Sequence, residues 1–142
     1  MNNLSKRKHL RLRNYDYTSN GYYFITICTH DKKPLVKKYQ KEIEDIISQL
    51  PDRFPGMDID YYILMPTHVH LIIVFNNVKV TIGEVVRTFK ALVSRYSKDQ
   101  DFWQRNYYEH VIRTDKALYK IREYIQNNPL VDKVRFEQFY NL

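Results

Sequence analysis

Residues 65–75 read MPTHVHLIIVF: a Pro-Thr corner, two histidines one residue apart, and then an unbroken apolar run from Leu71 to Phe75. The run is rich in β-branched and large apolar residues and reads as a strand in the core. Side chains alternate faces along a strand, so His68 and His70 share one face while Val69 and Leu71 take the other. Two imidazoles placed this way lie close enough to share a ligand, a geometry that suits a metal ion. Immediately upstream, MDIDYYILM (residues 57–65) alternates, with Ile59, Tyr61 and Ile63 expected on one face. The short Pro66-Thr67 connection makes the two segments neighbouring antiparallel strands.

Working outward, YYFITICTHD (residues 22–31) is a strand opened by the Asn20-Gly21 turn. KEIEDIISQL places apolar residues at 43, 46, 47 and 50, the spacing of an amphipathic helix that Pro51 is expected to end. A longer amphipathic helix runs from Thr81 to Ser97, with Arg87, Lys90 and Arg95 off its apolar stripe. FWQRNYYEHVIR (residues 102–113) is the fourth strand. KALYKIREYIQNN forms a last helix, with Thr114 or Asp115 as its N-cap and Pro129 as its stop. Strand, helix, strand, strand, helix, strand, helix is an α+β order. Its first six elements spell the ferredoxin-like split βαβ arrangement, with two helices on one face of an antiparallel sheet. The other face is left for the extra C-terminal helix, which would lie across His68 and His70.

The chain has 142 residues, 44% of them hydrophobic, with three Gly and five Pro, so one ordinary globular domain is expected. Its single cysteine, Cys28, excludes an internal disulfide and fits a reducing cytoplasm. No apolar stretch is long enough to span a membrane, and MNNLSKRKHLRLR lacks the apolar segment of a signal peptide. The net charge of +7 is concentrated: Lys6, Arg7, Lys8, Arg11 and Arg13 all precede the first acid, Asp16. Residues 1–14 therefore read as a basic arm ahead of a domain at 15–142. Such an arm either binds phosphates by releasing counterions or is simply solvated, and its composition leaves both open. Within the domain, a nucleic-acid groove would have to come from local clusters such as Arg87, Lys90, Arg95 and Lys98.

On the last helix Tyr124 and Asn128 are spaced i, i+4, so both can face the histidines from one side. A phenol, two imidazoles and a carboxamide form a usable set. The imidazoles and the amide oxygen can hold a divalent cation that accepts phosphate oxygens, while the phenol oxygen attacks phosphorus. No Ser or Cys in that helix competes as nucleophile.

YYFITICT, MPTHVHLIIVF, FWQRNYYEHVIR and REYIQNNPL, in this order, resemble the HUH (His, bulky hydrophobic, His) single-tyrosine transposases. The resemblance is closest to the bacterial branch associated with repetitive extragenic palindromes (REP), and it runs from about Arg7 to Leu130. It implies that His68 and His70, completed by Asn128, bind a catalytic Mg²⁺ or Mn²⁺, and that Tyr124 is the nucleophile. It also implies a substrate, a single-stranded DNA hairpin cleaved and rejoined through a 5′-phosphotyrosine, and a cytoplasmic, nucleoid-associated location. The class includes dimers that exchange tyrosines as well as monomers, so a homodimer is left open.

Each residue also has a plainer reading. A His-x-His strand is more often a hydrogen-bonded pair, and with thirteen tyrosines most, including Tyr107, Tyr108 and Tyr119, are expected to pack or to touch DNA. Phe102 and Trp103 can stack on a base or fill a hydrophobic corner, and either Glu109 or His110 can support the site. The alternative function is a non-catalytic ferredoxin-like module that holds single strands on aromatics and a basic arm. A two-histidine phosphoesterase is disfavoured by the lack of a second histidine motif.

Overall fold

The computed structural model describes residues 20–140. Four strands, β1 (Gly21–Cys28), β2 (Met57–Met65), β3 (His68–Phe75) and β4 (Tyr108–Ile112), form one sheet in the order β2-β3-β1-β4. All three pairings are antiparallel. The helices are the short α1 (Leu35–Lys38), α2 (Gln40–Arg53), α3 (Ile82–Ser97) and α4 (Asp115–Asn127). This is the ferredoxin-like order with an added final helix, as the pattern of apolar periods predicts.

The period-2 alternation of β1 and β3 divides the interior into two cores. Tyr23, Ile25, Ile27, Val69, Leu71 and Ile73 face α2 and α3, meeting Ile43, Ile47, Val85 and Phe89. Phe24 and Ile72 face the other way, toward Leu118, Ile121 and Ile125 of α4 and Phe136 and Phe139 beyond it. His68 and His70 lie on this second face, with α4. Thr81 caps α3 through a reciprocal capping box with Glu84, and Thr114 caps α4 by accepting from the Ala117 amide. The turn into β2 needs Gly56: its φ is +93°, and a Cβ there would lie 2.4 Å from the Asn76 carbonyl oxygen.

Three boundaries differ from the sequence reading. First, α2 continues through Pro51 to Arg53, because the Leu50 carbonyl accepts from the Phe54 amide and closes a further turn beyond the proline. Second, β4 is confined to Tyr108–Ile112. Phe102 and Trp103 instead fill the core under α3, and Trp103 forms an isolated bridge with Thr29, just past the end of β1. Third, Ile59 does not share a face with Tyr61 and Ile63. The ladder slips between Ile59 and Tyr61, so Ile59 packs into the first core while Tyr61 and Ile63 pack into the second. A bulge inserts one residue and reverses the alternation beyond it.

Candidate metal and nucleophile site

Strand register sets the site. In β3, His70 stands opposite Thr26 of β1 on one side and Ile63 of β2 on the other, and Thr26 in turn stands opposite Tyr108 of β4. His68 is one step nearer the mouth, opposite Cys28 and Met65. The two imidazole centroids are 4.7 Å apart, at 71° to one another. Both rings are buried beneath the segment that follows α4. Burial, reinforced by the neighbouring His68, pushes the His70 pKa down to about 4 and keeps the ring neutral, the form a metal ligand needs.

The polar atoms of the pair are engaged unequally. His70 Nδ1 is 2.9 Å from the Thr26 hydroxyl, while its buried Nε2 makes no well-aligned hydrogen bond, although the Pro129 and Val131 carbonyls lie against the ring. His68 Nε2 donates to the Pro129 carbonyl at 2.9 Å. With no well-aligned hydrogen bond to give up, His70 Nε2 can exchange these neighbours for a ligand. Among the described residues no group of three or more His, Cys, Asp or Glu converges to hold a metal. The imidazole pair fits a divalent cation only if oxygen ligands complete the set.

α4 lies over this face with its C-terminal end beside the histidines, as the His68–Pro129 bond requires. Tyr124 is half-buried, its ring edge-on to Phe139 at 5.4 Å. Asn128 caps the helix: its backbone amide and its Nδ2 both donate to the Tyr124 carbonyl. The carboxamide expected at the metal is therefore turned back on its own helix. Arg122 Nε donates to Asp60 Oδ2 at 2.8 Å while Nη2 donates to Oδ1, so the helix is clamped to the bulge of β2.

Other candidates fall elsewhere. Lys6, Arg7, Lys8, Arg11 and Arg13 lie outside the described residues. Arg87 is exposed on α3, which packs on the sheet face opposite the histidines. Lys90 points its ammonium at the carbonyls of Gln104, Arg105 and Asn106, and burial lowers its pKa to about 8. Glu109 lies on the same sheet face as Val111. His110, on the α4 face, stacks on Phe136 and bonds the Tyr140 hydroxyl at 2.7 Å. Tyr119 is exposed on α4. Two basic groups that the sequence did not single out neighbour residues beside the histidines. Lys32 pairs with Asp132 at 3.4 Å, and the Lys133 ammonium sits 5.8 Å from the Tyr108 ring centre. Thr26, buried inside an apolar strand, carries no sequence signal. The aromatic spacing of FEQFY (residues 136–140) does, since Phe136, Phe139 and Tyr140 all dock on the α4 face.

Residues 17–128 match the family described as "Transposase IS200 like". A Haemophilus influenzae protein, itself uncharacterized, is 38% identical, the match covering 88% of this chain and 89% of the relative. A second protein of the same organism, provisionally named a REP-associated tyrosine transposase, is 29% identical over 81% of this chain and 73% of its own. Among solved structures, a REP-associated tyrosine transposase bound to a REP hairpin superposes with a TM-score of 0.73 at 20% identity, over 85% of this chain and 73% of that one. A Deinococcus radiodurans protein provisionally described as a transposase gives 0.54 at 19% identity, over 83% and 96%. At these identities the two structures establish the fold.

Proposed function

Since the chain belongs to the family of IS200-like transposases, and its relatives indicate the REP-associated branch, we propose that it cleaves and rejoins single-stranded DNA at hairpins through Tyr124. The phenol oxygen attacks the scissile phosphorus, the bond to the 3′ oxygen breaks, and the strand leaves as a free 3′-hydroxyl. The 5′-phosphate stays on the tyrosine. Attack of a 3′-hydroxyl on that phosphotyrosine reverses the step and joins strands.

The observation that carries this reading is that His68 and His70 lie side by side, their ring centroids 4.7 Å apart, on the face covered by the tyrosine-bearing helix. His68 and His70, with the Asn128 amide oxygen, would hold Mg²⁺ or Mn²⁺, which when bound supplies charge neutralisation at the phosphate. The protein's own part is to keep the His70 ring neutral, to orient both rings, and to present the phenol on α4. For His68 to ligate through Nε2, its bond to the Pro129 carbonyl has to yield, whereas the Asn128 bond to the Tyr124 carbonyl uses Nδ2 and leaves the amide oxygen outside it. The basic arm (Lys6, Arg7, Lys8, Arg11, Arg13) is the proposed source of phosphate contacts at the site; Arg87, on the opposite face, can meet only DNA that extends beyond it, and the Lys90 ammonium is engaged within the fold.

Replacing both histidines with alanine tests the reading. The double variant should keep its circular dichroism spectrum and lose metal-dependent nicking of a single-stranded hairpin. Undiminished metal-dependent nicking would exclude the histidines, and hairpin binding by wild type without any nicking would leave a binding module.

A further inference from the structure

The turn that leaves β1 is strained. Asp31 and Lys32 follow one another, neither is a glycine, and both sit at φ 53° in the left-handed region. L residues hold that conformation only where the surroundings impose it, and such strain gathers at functional sites. Here the surroundings are Thr29, fully buried, whose hydroxyl donates to the Lys33 carbonyl at 2.7 Å and whose amide donates to the Thr67 carbonyl at 2.9 Å. Thr67 immediately precedes His68, so the turn is fastened to the corner that opens the histidine strand. What it presents is Lys32, its side chain 69% exposed and its ammonium 3.4 Å from Asp132 Oδ2. Asp132 belongs to the segment that follows α4, and its charge is felt at both His70 and Tyr108. Beside it, the Lys133 ammonium lies 5.8 Å from the Tyr108 ring centre.

The two sides of the histidine pair are therefore unlike. Toward β2 the cross-strand neighbours are Ile63 and Met65, and Arg122 is held by both oxygens of Asp60. Toward β4 stand two ammonium groups, Lys32 and Lys133, and one carboxylate, Asp132. An exposed ion pair is weak, so a phosphate can take the place of Asp132 on Lys32 at small cost. A strand whose scissile phosphate lies at the histidines carries its neighbouring phosphates past one side or the other. We propose that Lys32, presented by the strained turn and flanked by Lys133, binds a backbone phosphate of the single strand that flanks the hairpin, and that Asp132 holds the ammonium until this phosphate displaces it. The inference rests on hairpin DNA being the substrate in the proposed function, but it requires neither metal nor cleavage.

Fluorescence anisotropy without metal tests it, using one hairpin in blunt form and with 5′ or 3′ single-stranded flanks. Wild type is compared with Lys32→Gln, Asp132→Asn and, as a control for net charge, Lys79→Gln, an exposed residue beyond Phe75 at the other end of the sheet. Losing one single-strand phosphate contact should lower the slope of log affinity against log salt by about 0.7, or about fivefold in affinity at 0.1 M salt. Lys32→Gln should show this loss with one of the flanked hairpins and not with the blunt one, Asp132→Asn should bind the same flanked hairpin more tightly than wild type, and Lys79→Gln should change neither. Wild-type affinity of Lys32→Gln for both flanked hairpins would overturn the proposal, as would a loss that is equal for blunt and flanked DNA or that Lys79→Gln reproduces. Failure of wild type to bind any of the hairpins would remove the proposed substrate and this inference with it, whereas the Lys32 effect in a protein that never nicks would uphold the phosphate contact and refute the cleavage reading alone.

Discussion

Asp60→Ala unclamps the tyrosine-bearing helix, and its cost can be worked from the contact it removes. Asp60 occupies the bulge of β2, where the ladder skips it, and both its oxygens take a guanidinium N–H from Arg122. Side-chain exposures of 14% for Asp60 and 31% for Arg122 place the pair between a surface bridge, worth up to about 1 kcal/mol, and a buried one whose disruption costs about 3–5 kcal/mol. Arg122 can still reach water once unpaired, so the loss should be about 1–2 kcal/mol, or roughly 3–6 °C in Tm for a chain of this size. Urea denaturation of Asp60→Ala, Arg122→Ala and the double variant gives the coupling, expected near 1 kcal/mol. Because Arg122 lies two residues before Tyr124, tyrosine-adduct formation should slow while hairpin affinity holds. A coupling indistinguishable from zero would show that the clamp does not fasten α4.

Deleting residues 1–13 should weaken hairpin binding and flatten its salt dependence by up to about five phosphate contacts; an unchanged slope of log affinity against log salt would make the arm a solvated tail. Acid should also destabilise the fold through two buried histidines. Burial lowers the pKa of His70 to about 4 and, with Arg113 adding to it, that of His110 to about 3. Both lie below the unfolded value, so the unfolded chain takes up protons first. Stability is full above about pH 6.5, falls as pH drops below that, and is fully lost for these groups only near pH 4 and 3. Urea midpoints from pH 7.5 to 4.5 should decline, less steeply in His110→Phe; a flat profile would contradict the neutral burial of these rings.

The order of elements was legible because β1 and β3 are short β-branched and aromatic runs buried on both faces, residues 57–65 alternate, and α2, α3 and α4 carry the 3.6-residue period. The shared face of His68 and His70, and α4 lying across it, followed from that alternation and the need to cover the second face. The bulge at Asp60 was not legible, since only cross-strand pairing reveals which residue the ladder skips. Lys90 read as a surface charge because its helical angle is polar, yet the 104–106 carbonyls come from a loop far along the chain. The fold itself separates Arg87 from the site: the two crossover helices take one face of the sheet, and the histidines take the other. Asn128 is at the expected spacing, but Pro129 draws it out of helical dihedrals, to φ −136° and ψ 53°, where its amide caps the helix.

The central claim is that Tyr124 is the nucleophile, and the direct measurement is mass spectrometry of the protein after incubation with a labelled single-stranded hairpin and Mn²⁺. One denaturation-resistant adduct is expected, on the peptide containing Tyr124, carrying the DNA on the 3′ side of the cut through its 5′-phosphate, and absent in Tyr124→Phe although that variant still binds the hairpin. An adduct on Tyr107, Tyr108 or Tyr119, or full cleavage by Tyr124→Phe, would contradict it, and cleavage with no adduct would make water the nucleophile.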